Sequence, residues 1–428
     1  MSSTFQQRRF GLFIHWGLYA LAARGEWMRE RENTSDADYR PYFEHFHPDL
    51  FDPAEWAALA SEAGMKYAVV TTKHHDGFCL WDTAHTDYSV MHTPWGRDLI
   101  RPIVDALRER ELGVGFYHSL IDWHHPQFPI DGLHPLRDNP PTEPRDIAIY
   151  RSYLHRQVRE LLTGYGPLDE FWLDFSYVDH VHYGQPVWGG KGPADWGSEE
   201  LLAMVRQLQP GILVNDRLGI PGDFVTPEQY QPSAPMTRDG KPVLWEACQT
   251  LNGSWGYDRD NRDFKSPDLL VRMLVDTVAK DGNLLLNVGP NARGEIDPIA
   301  ADTLRQVGRW MRLHGRSIHG AGPSGFTAPP DCRYTQNGNR LYLHLFAWPF
   351  DAVHLPGLAG RVEYAQFLND ASEVRREVFD PDREAYATSS AGQPPGTLTL
   401  LLPTRKPDAE VPVIELFLRD EGGCCLDN

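Results

Sequence analysis

The chain has 428 residues, 41% hydrophobic and 23% charged, which are the proportions of a globular protein with room for one large domain and a smaller one. Its formal net charge of -18 argues against nucleic acid or an acidic membrane as partner, since phosphate binding needs clustered Lys and Arg. Taken in chain order, the residues ahead of Phe10 are polar and end in Arg8-Arg9, so no signal peptide and a cytoplasmic location are expected. Short apolar runs follow at 10–15, 67–72, 113–118, 170–175, 212–215, 224–226, 243–246 and 284–288. Each reads as a buried strand. Helical patterns lie between several of them. In Asp52-Pro53-Ala54-Glu55 an N-cap, a first-turn proline and a capping-box acid precede the apolar face of Trp56, Leu59, Ala60 and Ala63, and Gly64 stops the helix. Ser266-Pro267 opens another that Gly282 closes, and 98–111, 145–163, 198–208 and 300–314 also read as helices.

Strands interleaved with helices predict an α/β fold, a (β/α)8 TIM-like barrel, imperfect because little helix fits after the fifth and sixth strands. A doubly wound open sheet is the alternative, but no Gly-rich phosphate loop follows the first strand. Beyond about Gly320 the pattern changes to period-two strands such as Arg340–Leu345, punctuated by Pro and Gly. A small C-terminal β-sandwich is expected there, dividing the chain into residues 1–322 and 323–428. The Pro-rich stretch 126–144 is expected to wall a pocket. No apolar run is long enough to cross a membrane. The cysteines (Cys79, Cys248, Cys332, Cys424 and Cys425) lack both a zinc-type spacing and a disulfide pattern.

Polar, titratable residues crowd the strand ends, where packing alone would ask for Val or Leu. Lys73-His74-His75-Asp76-Gly77-Phe78 follows the second strand and Phe171-Trp172-Leu173-Asp174-Phe175 forms the fourth. Side chains alternate on a strand, so Trp172 and Asp174 share one face and Leu173 and Phe175 the other. Asp174 is the leading candidate to attack or stabilise an anomeric carbon, against the ordinary use of such a carboxylate as a helix cap or ion-pair partner. Glycoside hydrolysis needs a second carboxylate, and Glu228 and Glu246 both qualify. Arg217 is placed to hold the nucleophile ionised. His15, His74, His75 and His118 end three strands. They could ligate a metal or read hydroxyls. The first strand carries Ile14-His15-Trp16 where many metallohydrolase barrels have H-x-H, so hydroxyl reading is preferred and no metal or other cofactor is expected.

Several of these motifs, in order, are familiar. Phe10-Gly11-Leu12-Phe13-Ile14-His15-Trp16-Gly17, the 73–78 run with Leu80-Trp81, Thr93-Pro94 with Arg97-Asp98-Leu99, Asn215-Asp216-Arg217 and the 282–290 segment resemble the α-L-fucosidases of glycoside hydrolase family 29 over residues 9–320. The resemblance implies a retaining exo-acting enzyme with a fucosylated oligosaccharide as substrate. Asp174 would be the nucleophile and Glu228 the acid/base. His15, His74, His75, Trp172, Glu26 and Trp27 would read fucose hydroxyls, joined by Tyr117 or His118 from the third strand, with Arg217 beside the nucleophile. Trp255 and Phe224 are candidates for the wall against the sugar's methyl group. Glu228 is expected in a less polar setting that keeps it protonated. The resemblance is compatible with a homo-oligomer, and the sequence leaves the oligomeric state open. A metal-dependent hydrolase and a non-catalytic fucose-binding protein are the competing readings.

Overall fold

The eight runs close on one another through parallel pairing. In this computed structural model, which describes residues 2–182, 184–378 and 393–419, they are β1 (Phe10–Ile14), β2 (Tyr67–Lys73), β3 (Gly113–Ser119), β4 (Glu170–Asp174), β5 (Leu213–Val214), β6 (Phe224–Val225), β7 (Leu244–Thr250) and β8 (Asn283–Val288). Their spatial order is β5-β4-β3-β2-β1-β8-β7-β6. A parallel bridge between Asn215 and Phe224 joins the two ends, so the sheet is a nearly closed barrel. Every residue of β1 to β4 is buried, because one face meets the barrel interior and the other the helices.

The surrounding helices are α1 (Pro53–Glu62), α2 (Ile100–Glu109), α3 (Ile147–Gly164), α4 (Ser198–Leu208), α5 (Pro267–Ala279) and α6 (Pro298–His314). Their starts follow the expected chemistry. Asp52 accepts hydrogen bonds from the N–H groups of Ala54 and Glu55, Asp146 from Ala148, and Ser266 from Leu269. Gly64 ends the first with φ +82°, a conformation that favours glycine. Among the described residues no helix separates β5 from β6 or β6 from β7, as the sequence predicts. None is long and apolar enough to cross a membrane.

Strand parity decides which side chains enter the barrel. Phe13, Tyr67, Val69, Tyr117, Trp172, Phe224, Cys248 and Leu285 form an interior cluster of their own, closed from below by Phe5, whose ring lies 5.2 Å from that of Phe224. Among the described residues seven antiparallel strands follow: β9 (Cys332–Asn337), β10 (Arg340–Leu345), β11 (Ala352–Leu355), β12 (Val362–Phe367), β13 (Arg375–Val378), β14 (Leu398–Leu401) and β15 (Val413–Leu418). They make two sheets, β9-β10-β15-β12 and β11-β14-β13. Leu341, Leu343 and Leu345 of β10 join their common core, whereas the alternate Tyr342 packs with the barrel's core. Trp310 of α6 donates to the Val411 carbonyl at 2.8 Å, and Arg316 pairs with Glu415 at 2.7 Å. Cys79, Cys248 and Cys332 are free thiols. Cys424 and Cys425 lie outside the described residues.

Candidate active site

At the C-terminal mouth of the barrel, where enzymes of this architecture carry their chemistry, a cavity collects side chains from seven strands or the loops that follow them. Its wall includes His15, Trp27, His74, His75, Tyr117, Trp172, Asp174, Arg217, Glu228 and Trp255, all sequence candidates, together with Phe13, Phe175 and Cys248. The inner end is tight, about 50 Å³, and opens into a cleft of about 430 Å³ that shares Asp174, Phe175, Arg217 and Glu228 with it. A larger cavity, about 600 Å³, lies at the opposite end of the barrel around Phe5, Tyr67 and Leu213, away from the strand ends.

Asp174, the last residue of β4, is buried. Tyr117 donates its hydroxyl to Oδ2 at 2.8 Å, and Arg217 donates from Nη1 to Oδ1 at 3.0 Å. Burial pushes the Asp174 carboxyl upward. The charge of Arg217, the neighbouring His75 and the hydrogen bonds from Tyr117 and Arg217 outweigh it and hold the group below its usual range. Arg217 is itself braced: Nε donates to Thr226 Oγ1 at 2.8 Å, and the guanidinium lies 5.2 Å over the Trp172 ring. Its Nη2 pairs with Glu228 Oε2 at 2.7 Å. The setting of Glu228 differs from the one expected. Its side chain is 39% exposed and ion-paired, because it sits on a loop at the mouth and not in an apolar recess.

The imidazoles form a contiguous wall. Ring centroids of His15 and His74 are 5.6 Å apart, and those of His74 and His75 4.1 Å. His15 Nδ1 meets Asn287 Oδ1 at 2.7 Å, and His75 Nδ1 meets Ser119 Oγ at 2.6 Å. Burial lowers His15 to about 3 and His75 to about 4, and drives His74 well down, so all three are neutral at pH 7. A neutral imidazole offers one donor and one acceptor, which suits hydroxyls. Among the described residues no three His, Cys, Asp or Glu side chains converge as metal ligands.

Four expectations are corrected by the structure. His118 faces outward, its Nδ1 2.9 Å from Thr72 Oγ1 and its ring near Trp81, because Tyr117 takes the inward position of β3. The carboxyl of Glu26 is buried against the loop that carries Trp255. It accepts from the Gly256 N–H at 2.7 Å and does not line the cavity, and burial raises it above the usual range. Phe224 packs at the floor of the barrel, and Phe13 supplies the aromatic wall beside Trp255 instead, with centroids 5.9 Å apart. Phe175 lines the cavity although alternation placed it outside. Its φ of +90° swings the chain out of the strand immediately after Asp174. The sequence reading missed Phe13 and Cys248, although parity with His15 and Glu246 marked both as inward. Glu246 lies below the cavity, accepting from Tyr67 Oη and from Trp172 Nε1 at 3.0 Å. The 126–144 stretch lines neither the cavity nor the cleft.

Comparison with known proteins agrees with this geometry. A family profile described as alpha-L-fucosidase matches residues 1–316. Plasma alpha-L-fucosidase of Rattus norvegicus is 30% identical over 421 residues, covering 90% of this chain and 84% of that protein. Alpha-L-fucosidase isoenzyme 1 from Paenibacillus thiaminolyticus superposes with a TM-score of 0.90 at 46% identity, covering 98% of this chain and all of that one (100%). A family GH29 alpha-L-fucosidase from Bacteroides thetaiotaomicron, solved as a trapped covalent intermediate with 2-fluoro-fucosyl fluoride, superposes with a TM-score of 0.82 at 26% identity over 98% of this chain and 96% of that one. Matches this extensive in sequence as well as in shape reflect common descent, and the chain belongs to the alpha-L-fucosidase family of glycoside hydrolases.

Proposed function

We propose that the chain hydrolyses terminal α-L-fucosyl residues of oligosaccharides with retention, by double displacement. The observation that carries this reading is the arrangement of two carboxylates about one guanidinium: Asp174 buried and held ionised, Glu228 at the mouth where the cleft begins. Asp174 attacks the anomeric carbon and forms the fucosyl-enzyme. Glu228 first protonates the departing oxygen and then takes a proton from the incoming water. Neutral His15, His74 and His75 read the sugar hydroxyls, with Trp27, Trp172 and Tyr117 completing the pocket. Phe13 and Trp255 give the methyl group an apolar face. The covalent intermediate trapped in the Bacteroides relative supports the same course here. We also place the division between the barrel and the sandwich at residues 322 and 323, between the end of α6 at His314 and the start of β9 at Cys332.

The test is trapping with a 2-deoxy-2-fluorofucosyl fluoride followed by peptide mass spectrometry. The adduct is expected on Asp174, and NMR of the first-formed product is expected to show the α-anomer. A label on another residue, or a β-product, overturns the mechanism.

A further inference from the structure

We propose that the outer cleft is a leaving-group subsite for an uncharged, hydroxylated sugar, and that Asp216 is the residue that selects it. This rests on the roles proposed above for Asp174 and Glu228. Those two residues, with Phe175 and Arg217, border both the inner cavity and the cleft, so a bond broken between them has its fucosyl side inward and its leaving group in the cleft. The rest of the cleft is Ser176, His180, Asp216, Gly219 and Thr226, drawn from the segments that follow β4, β5 and β6. At about 430 Å³ it has room for a second pyranose.

Asp216 is suited to bind that second ring. Its carboxylate has only long contacts: Thr226 Oγ1 donates to Oδ1 at 3.3 Å, and Arg238 Nη2 lies 3.8 Å from Oδ2. A carboxylate offers about four acceptor sites, so most of this one's capacity is free for hydroxyl donors. Its side chain is 30% exposed, within reach of a ligand. The charges about the cleft fix the ligand's own charge. Asp174, Asp216 and Glu228 face it, while Arg217 is already shared between Asp174 and Glu228 and Arg238 stands beyond Asp216. A leaving group carrying a carboxylate or sulfate would be desolvated against these acidic groups, and the one arginine that borders the cleft is already committed to Asp174 and Glu228. Phe175 supplies an apolar edge for the C–H face of a sugar ring.

The 126–144 stretch acts on the subsite from behind. Tyr177 donates to Asp131 Oδ2 at 2.5 Å, and buried Lys191 pairs with the same carboxylate, pinning the segment after β4 that forms one side of the cleft. Selection of the leaving group therefore falls to the short connection between β5 and β6, where Asp216 sits.

The experiment compares kcat/KM on 4-nitrophenyl α-L-fucoside, on the best-cleaved neutral α-L-fucosyl disaccharide, and on its counterpart with a glucuronic acid leaving group. The wild-type chain is expected to favour the neutral disaccharide over the acidic one by about tenfold or more. Asp216→Asn and Asp216→Ala are each expected to reduce cleavage of the neutral disaccharide about tenfold more than cleavage of the aryl fucoside. The isosteric Asn variant serves where Ala fails to fold. Equal losses on both substrates would make Asp216 a structural residue and overturn the proposal, as would no loss on either. Equal rates on the neutral and acidic disaccharides would overturn the charge selection. A wild-type chain inert to every fucoside would instead overturn the function on which the subsite rests.

Discussion

Arg217 donates from Nη1 to Oδ1 of Asp174 at 3.0 Å. The same guanidinium reaches Glu228 with its other prong and lies over the Trp172 ring. One permanently charged group thus fixes the position of both carboxylates. It stabilises the ionised form of the buried one against the upward push of burial.

Removing that cation has a signed consequence for pH dependence. Asp174 must be ionised to attack, so activity is present above its pKa and lost as pH falls through it. In Arg217→Met the largest offset to burial is gone, and the acidic limb of kcat/KM is expected to move upward. The rate at the optimum is expected to fall about 10²–10³-fold. A variant whose acidic limb stays where the wild type has it would show that Arg217 does not set the ionisation of Asp174.

Tyr117→Phe removes a single hydrogen bond to the nucleophile and little else. The ring stacks on His74 at 5.5 Å with an interplanar angle of 11°, a contact that Phe retains. Hydrogen bonds to charged groups contribute about 1.5–3 kcal/mol, so kcat/KM is expected to drop about tenfold to a hundredfold while the fold is kept. Loss of less than about threefold would assign the hydroxyl no part in holding Asp174.

The barrel was legible because its strands are apolar runs that end in His, Lys and Asp, and because Asp52, Ser266 and their prolines mark helix starts by simple chemistry. Asp174, Arg217 and the paired His74-His75 could be found from their positions at strand ends. Choosing between Tyr117 and His118 needed the phase of β3. Gly115 gives that phase in retrospect: a Cβ there would stand 2.5 Å from Glu170 Cγ inside the barrel, so Tyr117, two residues on, points inward too. Phe175 was not legible, since a φ of +90° at a phenylalanine has no sequence signature. Nor was the setting of Glu228. It follows from a parallel bridge to Cys248 and from Arg217, contacts between the ends of separate strands that only the closed barrel brings together.

Away from the site, helix packing makes one glycine indispensable. Gly308 lies inside α6, where alanine would ordinarily stabilise a helix. A Cβ at this position would come 2.1 Å from the backbone oxygen of Glu62 at the end of α1, and backbone cannot rotate aside. Gly308→Ala is therefore expected to destabilise the fold by about 1–3 kcal/mol, read as a lowered denaturant midpoint. A variant as stable as wild type would mean that α1 and α6 separate freely enough to admit a methyl group.

Glu228 and Glu246 both sit near the nucleophile, and their contacts predict opposite behaviour. Glu228 presents its carboxylate at the cleft. Glu246 has both oxygens engaged, by Tyr67 and by Trp172, and burial raises it to about 7. It supports the indole beneath Arg217 and has no oxygen free for a leaving group. In Glu228→Ala, hydrolysis of an oligosaccharide is expected to fall about 10²–10⁴-fold, the loss typical of a missing general acid. Azide is expected to restore turnover of an aryl fucoside and yield α-L-fucosyl azide, because a small anion enters the space left by the carboxylate and needs no general base. Glu246→Ala leaves two buried donors unpaired, so it is expected to lower stability by about 1–3 kcal/mol per donor and to show no response to azide. Azide rescue of the Glu246 variant with none for the Glu228 variant would exchange their roles, and would require the floor of the barrel to open to the leaving group.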